Sequence, residues 1–285
     1  MKLGVAGLLG DGSAEAIRRV RELGFGAASW HLPSLTAARD AHALRLTRDV
    51  MDAEGLTLVQ LLPPDYPSLV HPDPRVRSEG VSALSVVLEA AVSLGAGSVY
   101  VRPGSLNPNG PWTPHPDNHA PVTRDRLIES LTALVPLADA AGVPLALEAH
   151  VVSPLFTVAV VQDVLDRVAS PSLRFNADPV NLIGTLDQAY QNTLLIDELF
   201  DKLGEAVVCA HAKDLTVGER LVLHLDECIP GQGLLDQETF LRRFNACCPG
   251  GAVLIEHLPV ERVPEARRAL LEFASRAGLQ FEELP

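Results

Sequence analysis

Short apolar runs alternate along the chain with longer stretches in which apolar residues recur at helical spacing. That pattern predicts strands and helices in strict succession. Lys2–Gly7 reads as a strand. Ser13–Leu23 reads as a helix capped by Ser13, with Glu15, Arg18 and Glu22 on its wet face. Phe25–Trp30 is the second strand and ends at His31; a helix over Thr36–Glu54 stops at Gly55. Leu56–Leu62, Ser98–Arg102, Val143–Leu147, Leu173–Ala177, Ala206–Ala210 and Ala252–Ile255 are the remaining strands. Between and after them come helices over Arg75–Leu94, Thr123–Ala141 (Thr123 as cap), Thr157–Val168, Asp187–Leu203, Asp236–Ala246 and Val263–Ala277.

Eight strands alternating with eight helices form the pattern of parallel βα units, and eight such units can close into a (β/α)8 TIM barrel. The alternative is a doubly wound open sheet, whose mark is a glycine-rich phosphate turn after the first strand. Gly7–Gly12 reads GLLGDG, which does not fit G-x-G-x-x-G. The length of 285 residues suits one barrel, typically about 250 residues, and with no linker or composition shift residues 1–285 read as a single domain. Two polar stretches are long for connections inside a compact domain: Ser105 to about Val122, and Leu215–Leu235. Such stretches usually act as lids or binding loops.

The strand ends carry the chemistry. Strands five to eight run into Glu148, Asp178, His211 and Glu256. In a barrel, those positions converge on one mouth. Three carboxylates and one imidazole form a mostly hard, oxygen-rich donor set for one divalent metal ion, favouring Mn2+, Mg2+ or Co2+ over Zn2+ or Fe2+. Without a cation the three carboxylates would repel one another. A lone acidic residue after a strand is most often a solvated loop residue or a helix cap, but four metal-binding residue types on successive strands, three carboxylates and a histidine, are harder to dismiss.

The motifs LALEAH, FNADPVN, CAHAKDL and IEHL, in this order, resemble the metal-binding strand ends of the xylose isomerase-like TIM barrel superfamily. The nearest likeness is to its sugar phosphate isomerase/epimerase group. PDPRVRSEGVSALSVVLEAAVSLGAGSVYVRPG and IPGQGLLDQETFLRRF also resemble that group, so the likeness covers nearly the whole chain. The resemblance implies metal ligands at Glu148, Asp178, His211 and Glu256. It implies an acid–base pair at Glu148 and Glu256, acting on opposite faces of a small sugar, keto sugar or polyol through a metal-stabilised enediolate. A lyase that removes water from a keto-polyol, of inosose or dehydroshikimate type, is the alternative outcome; a non-catalytic barrel ranks lower. Many relatives carry D-x-x-H; this chain has Asn181 at the last position, which disfavours a second metal. The superfamily's endonuclease branch uses histidines at the ends of strands three and four. Here those ends read Gln60-Leu61-Leu62-Pro63 and Val101-Arg102-Pro103.

Other candidates for touching substrate are His31, Arg102, His150, Asn181, Lys213 and Arg220, each with a structural role as the competing reading. Asp214 is expected to hold Lys213. His224 and Asp226 are a weak second metal pair, and Gly231-Gln232-Gly233 is most simply a turn.

Charge and composition narrow the partners. A net charge of −13 counts against nucleic acid and leaves a small polar molecule as the expected partner. Four cysteines without a C-x-x-C pair are no disulfide framework, which points to a reducing cytoplasm. No stretch reaches the ~20 apolar residues of a membrane span, and the start lacks the length of a signal peptide. Relatives are often dimers or tetramers, so the resemblance also suggests a homo-oligomer.

Overall fold

A computed structural model describes residues 1–283. The chain runs β1 (Lys2–Val5), α1 (Ala14–Glu22), β2 (Ala27–His31), α2 (Leu35–Ala38), α3 (Ala41–Ala53), β3 (Thr57–Leu62), α4 (Pro74–Leu94), β4 (Val99–Val101) and α5 (Pro121–Ala141). It continues with β5 (Leu145–Leu147), α6 (Val158–Val168), β6 (Leu173–Ala177), α7 (Leu186–Tyr190), α8 (Asn192–Leu203) and β7 (Val207–Ala212). It ends with β8 (Asp214–Val217), β9 (Leu225–Cys228), α9 (Gln237–Cys247), β10 (Ala252–Ile255) and α10 (Val263–Arg276).

Eight parallel strands close in the order β1-β10-β7-β6-β5-β4-β3-β2, with helices outside them: the (β/α)8 barrel that the alternation predicts. The strands that end in the four candidate ligands, β5, β6, β7 and β10, are consecutive neighbours in the barrel. Both faces of the wall are buried, so the strands are almost continuously apolar. On β10, Ala252 and Leu254 point into the barrel's small lower layer with Ala27, while Val253 and Ile255 join the main core. Glu256 continues the inward series by the two-residue period. Gly4 is needed at this narrow end: a Cβ there would lie 2.5 Å from Leu254 Cδ2 and 2.7 Å from the Ala27 carbonyl oxygen.

Local signals set the helix ends. Ser13 Oγ accepts from the Ala16 amide at 3.4 Å, the expected cap. Asp73 caps α4 ahead of Pro74, and Gly95 closes it in the left-handed conformation. Three helices depart furthest from the sequence reading. The helix expected over Thr36–Glu54 breaks in two because Asp40 caps a new one, accepting from the Ala43 amide at 3.0 Å. α5 starts at Pro121, and Thr123 is not its cap: Thr123 Oγ1 donates to the Asp117 carbonyl at 2.7 Å. The helix expected over Asp187–Leu203 breaks at Gln191. The stretch expected as an irregular excursion over Leu215–Leu235 contains an antiparallel hairpin, β8 with β9.

The four cysteines are free thiols. Among the described residues, no helix is long and apolar enough to cross a membrane.

Candidate metal centre

Strand periodicity builds this site. Glu148 and Asp178 follow directly on β5 and β6, His211 lies inside β7, and Glu256 follows β10. His211 was expected just beyond its strand, but β7 runs on to Ala212. One ligand atom from each of the four lies within 4.8 Å of the others. Glu148, Asp178 and His211 are buried, and the Glu256 side chain is only 12% exposed.

His211 Nδ1 is the hub. It lies 2.9 Å from Glu148 Oε1, 3.0 Å from Glu256 Oε2 and 3.9 Å from Asp178 Oδ2. Lys213, two residues on and on the same inner face, places Nζ 2.9 Å from both Asp178 Oδ2 and Glu256 Oε2. It also donates to Asn181 Oδ1 at 3.1 Å. Tyr100 OH donates to Glu148 Oε2 at 2.5 Å, and Asn176 Nδ2 donates to Glu148 Oε1 at 2.6 Å.

Burial opposes every charge here, and the neighbours decide each outcome. Burial pushes the His211 imidazole down, but Glu256 and Glu148 outweigh it and raise its pKa to about 10. Burial also works against ionised Glu256, yet His211 and then Lys213 hold it well below the usual carboxylate range. Glu148 is lowered against burial by the charge and hydrogen bond of His211. Asp178 is the exception. Burial, assisted by Glu148 and Glu256, raises it to about 6 despite Lys213 and His211.

The donor set fits a divalent cation. Three carboxylates, one ammonium and a neutral imidazole leave two negative charges, which a divalent ion neutralises. Asp178 Oδ2 and Glu256 Oε2 are buried and accept no hydrogen bond among the described residues. Lys213 Nζ lies in ion-pair contact with both, outside hydrogen-bond geometry. Carboxylate oxygens turned to a common point without a donor suit a metal ligand better than a structural ion pair.

The other candidates divide. Asn181 and Lys213 join the cluster. His150 lies one residue past Ala149, with Nδ1 accepting from the Val152 amide at 3.2 Å and its ring centroid 5.8 Å from that of Trp112. Burial, then Lys213, lowers its pKa, so it is neutral. Arg102 is turned away: it reaches Asp65 at 3.4 Å and the Pro64 carbonyl at 3.1 Å, and lies over the Tyr66 ring. His31 is exposed beside a small cavity with Pro33 and Asp65. Arg220 is exposed at the hairpin tip. His224 and Asp226 pair at 3.1 Å with both side chains about half exposed. Asp214 does not hold Lys213. Its carboxylate accepts the amides of Leu215, Gly231, Gly233 and Leu235, which ties down the turn after the hairpin. A cavity of about 640 Å3, lined by Lys2, Thr57 and Arg267, opens at the opposite end of the barrel and has no part in this cluster.

Sequence reasoning missed Tyr100, Asn176, Gln60 and Cys209. Asn176 and Cys209 were legible in principle, each two residues before a ligand and so on its face of the wall. It also missed His257, which adopts a left-handed φ of 57° and reaches Glu227 Oε2 at 3.1 Å.

Among known proteins, the sequence profile of the family described as xylose isomerase-like TIM barrel matches residues 17–273. A D-tagatose 3-epimerase-like protein superposes with a TM-score of 0.77 at 17% identity, covering 98% of each chain. The 3-keto-D-glucoside 4-epimerase of E. coli gives 0.72 at 16% identity, covering 95% of this chain and 98% of that one. A xylose isomerase-like TIM barrel protein from Mycobacterium smegmatis, in complex with magnesium, gives 0.73 at 19% identity over 97% of each chain. No curated protein matches the sequence.

Proposed function

From the fact that the chain belongs to the xylose isomerase-like TIM barrel family, together with the geometry of its strand ends, we infer that it is a divalent-metal-dependent isomerase or epimerase of a small sugar, keto sugar or polyol. The observation that carries this reading is the pair Glu148 and Glu256, two ionised carboxylates meeting His211 Nδ1 at 2.9 and 3.0 Å. The likeness in fold to a D-tagatose 3-epimerase-like protein and to a 3-keto-D-glucoside 4-epimerase supports it.

Glu148, Asp178, His211 and Glu256 would hold the ion. Bound there, a divalent ion supplies Lewis acidity to neighbouring substrate oxygens. Glu256 would hold the ion through Oε2 and take a proton from the substrate carbon with its other oxygen, Oε1, which lies 3.5 Å from His257 Nε2. Glu148, on the strand two away from that of His211, accepts a hydrogen bond on each oxygen; having taken up a proton from solvent, it would return it to the opposite face of the substrate. Acid–base help of this kind contributes about 10² to 10⁴-fold. Lys213 keeps Asp178 and Glu256 ionised. Asn181, which accepts from Lys213, and His150, whose Nδ1 accepts from the Val152 amide, would meet substrate hydroxyls.

The test is metal analysis of the purified protein, then a panel of ketoses and keto-inositols in D2O with the ion found. Turnover with deuterium at the exchanging carbon is expected. Turnover without deuterium points to hydride shift, and a product lighter by one water points to the lyase. No bound metal, with no thermal stabilisation by added Mn2+, would overturn the reading.

A further inference from the structure

Directly beneath the cluster lies a polar layer that neither the ligands nor the acid–base pair account for. Gln60 on β3, Asn176 on β6 and Cys209 on β7 are each 0% exposed. A buried polar group left without a partner is costly, so donors and acceptors here must match.

The match can be read in one direction. Asn176 lies 2.6 Å from Glu148 Oε1, and an ionised carboxylate only accepts, so the Asn176 amide nitrogen faces it. Asn176 Oδ1 therefore faces Cys209 Sγ at 2.9 Å and accepts its hydrogen. An amide oxygen only accepts, so the hydrogen between them belongs to the sulfur. With its hydrogen committed, Cys209 Sγ can only accept at 3.3 Å from the Gln60 amide nitrogen. That leaves Gln60 Oε1 facing His211 Nε2 at 3.3 Å as an acceptor, so Nε2 carries a hydrogen.

We propose that the buried chain Glu148–Asn176–Cys209–Gln60 fixes His211 with its hydrogen on Nε2, so that Nδ1, which faces all three carboxylates, is the nitrogen given to the metal. Gln60 and Cys209 are then positioning residues: they touch neither ion nor substrate and act through His211. The hydrogen bond on the far nitrogen of a ligand histidine sets both its tautomer and its ring orientation. The inference rests on the metal reading of the site.

The test uses Mg2+ and the full chain. In the Mg2+-loaded wild type, nitrogen NMR of His211 should show the hydrogen on Nε2 and none on Nδ1. Mg2+ titration calorimetry should show that Gln60→Met, close in shape but without an acceptor oxygen, binds about 10- to 100-fold more weakly. Cys209→Ala should also weaken binding, and Cys209→Ser, which restores a donor and an acceptor, should recover it. A packing role alone gives the reverse order, since alanine suits an apolar contact better than serine. If the variants fold poorly, the wild-type spectrum still decides. A hydrogen on Nδ1 in the loaded protein, or wild-type affinity in both Gln60→Met and Cys209→Ala, overturns the inference while leaving the metal reading intact. Failure of the wild type to bind any divalent ion overturns the metal reading, and this inference with it.

Discussion

Tyr100 donates a 2.5 Å hydrogen bond to Glu148 Oε2 from the neighbouring strand β4, and its ring stacks beside His211 with centroids 6.4 Å apart. The hydroxyl is buried, and burial, then Glu148, hold the phenol well above its ordinary pKa, so it is a permanent donor. A donor to the charged form favours that form. Tyr100→Phe keeps the ring and removes the donor, and the Glu148 pKa should rise. A hydrogen bond to a charged group is worth about 1.5–3 kcal/mol, so kcat should fall by roughly 10- to 150-fold. The acid limb of the pH–rate profile should move to higher pH. An unmoved limb would show that Glu148 does not depend on this bond.

Ion uptake should release a proton. In the metal-free protein, burial pushes His211 down but Glu256 and Glu148 raise it to about 10, so it is an imidazolium at neutral pH. A ligand nitrogen must be unprotonated. Calorimetry in buffers of different ionisation heat should therefore find about one proton released per ion, and affinity should tighten about tenfold per pH unit below the folded pKa. The same shift makes a stability prediction for chelated protein. A pKa raised from 6.5 to about 10 stabilises the fold fully below 6.5, and that contribution is lost as pH rises towards 10. The Tm in chelator should fall across that window more steeply than in saturating Mn2+.

The barrel was legible because it rests on a pattern repeated eight times, and the four candidate ligands because each interrupts an apolar run at or near the end of its strand. What escaped depends on contacts between distant strands. Gln60 reaches His211 across 151 positions, and nothing near it in the sequence marks it as a partner. The hairpin β8–β9 was hidden because half of it is short and polar, LDEC, without apolar alternation. The helix breaks at Asp40 and Gln191 were missed because helical apolar spacing continues across both. At Asp40 a capping aspartate decides the break, and an unpaired acid reads the same in sequence.

Lys213 is the resident counter-charge. Its Nζ lies 2.9 Å from both Asp178 Oδ2 and Glu256 Oε2, with the side chain 3% exposed. Lys213→Met leaves those carboxylates with one cation fewer in a buried site. Breaking a buried pair typically costs about 3–5 kcal/mol, so chelated Lys213→Met should lose stability of that order. A divalent ion supplies charge at the same place, so saturating Mn2+ should raise the Tm of the variant by more than it raises the wild type's. Equal shifts would separate Lys213 from the ion's position.

Asp214, next in sequence, points the other way and should fail differently. Its Oδ1 accepts from Leu215 and Leu235 and its Oδ2 from Gly231 and Gly233, all between 2.8 and 3.0 Å. Four amides converging on one buried carboxylate leave no space beside it: a Cβ on Gly233 would lie 2.3 Å from Asp214 Oδ1. Asp214→Asn keeps the shape but turns an NH2 group towards two of the four amides. Each charged hydrogen bond is worth about 1.5–3 kcal/mol, so the variant should lose several kcal/mol, and Gly233→Ala should lose a similar amount by forcing the two apart. Because this turn follows the β8–β9 hairpin, limited proteolysis should open both variants between residues 218 and 233 before the barrel unfolds. Mg2+ affinity of the folded fraction should stay near wild type, because the hydrogen bonds of the Asp214 carboxylate go to the turn amides. A loss of affinity equal to that of Lys213→Met would show instead that the turn and the metal centre form one unit.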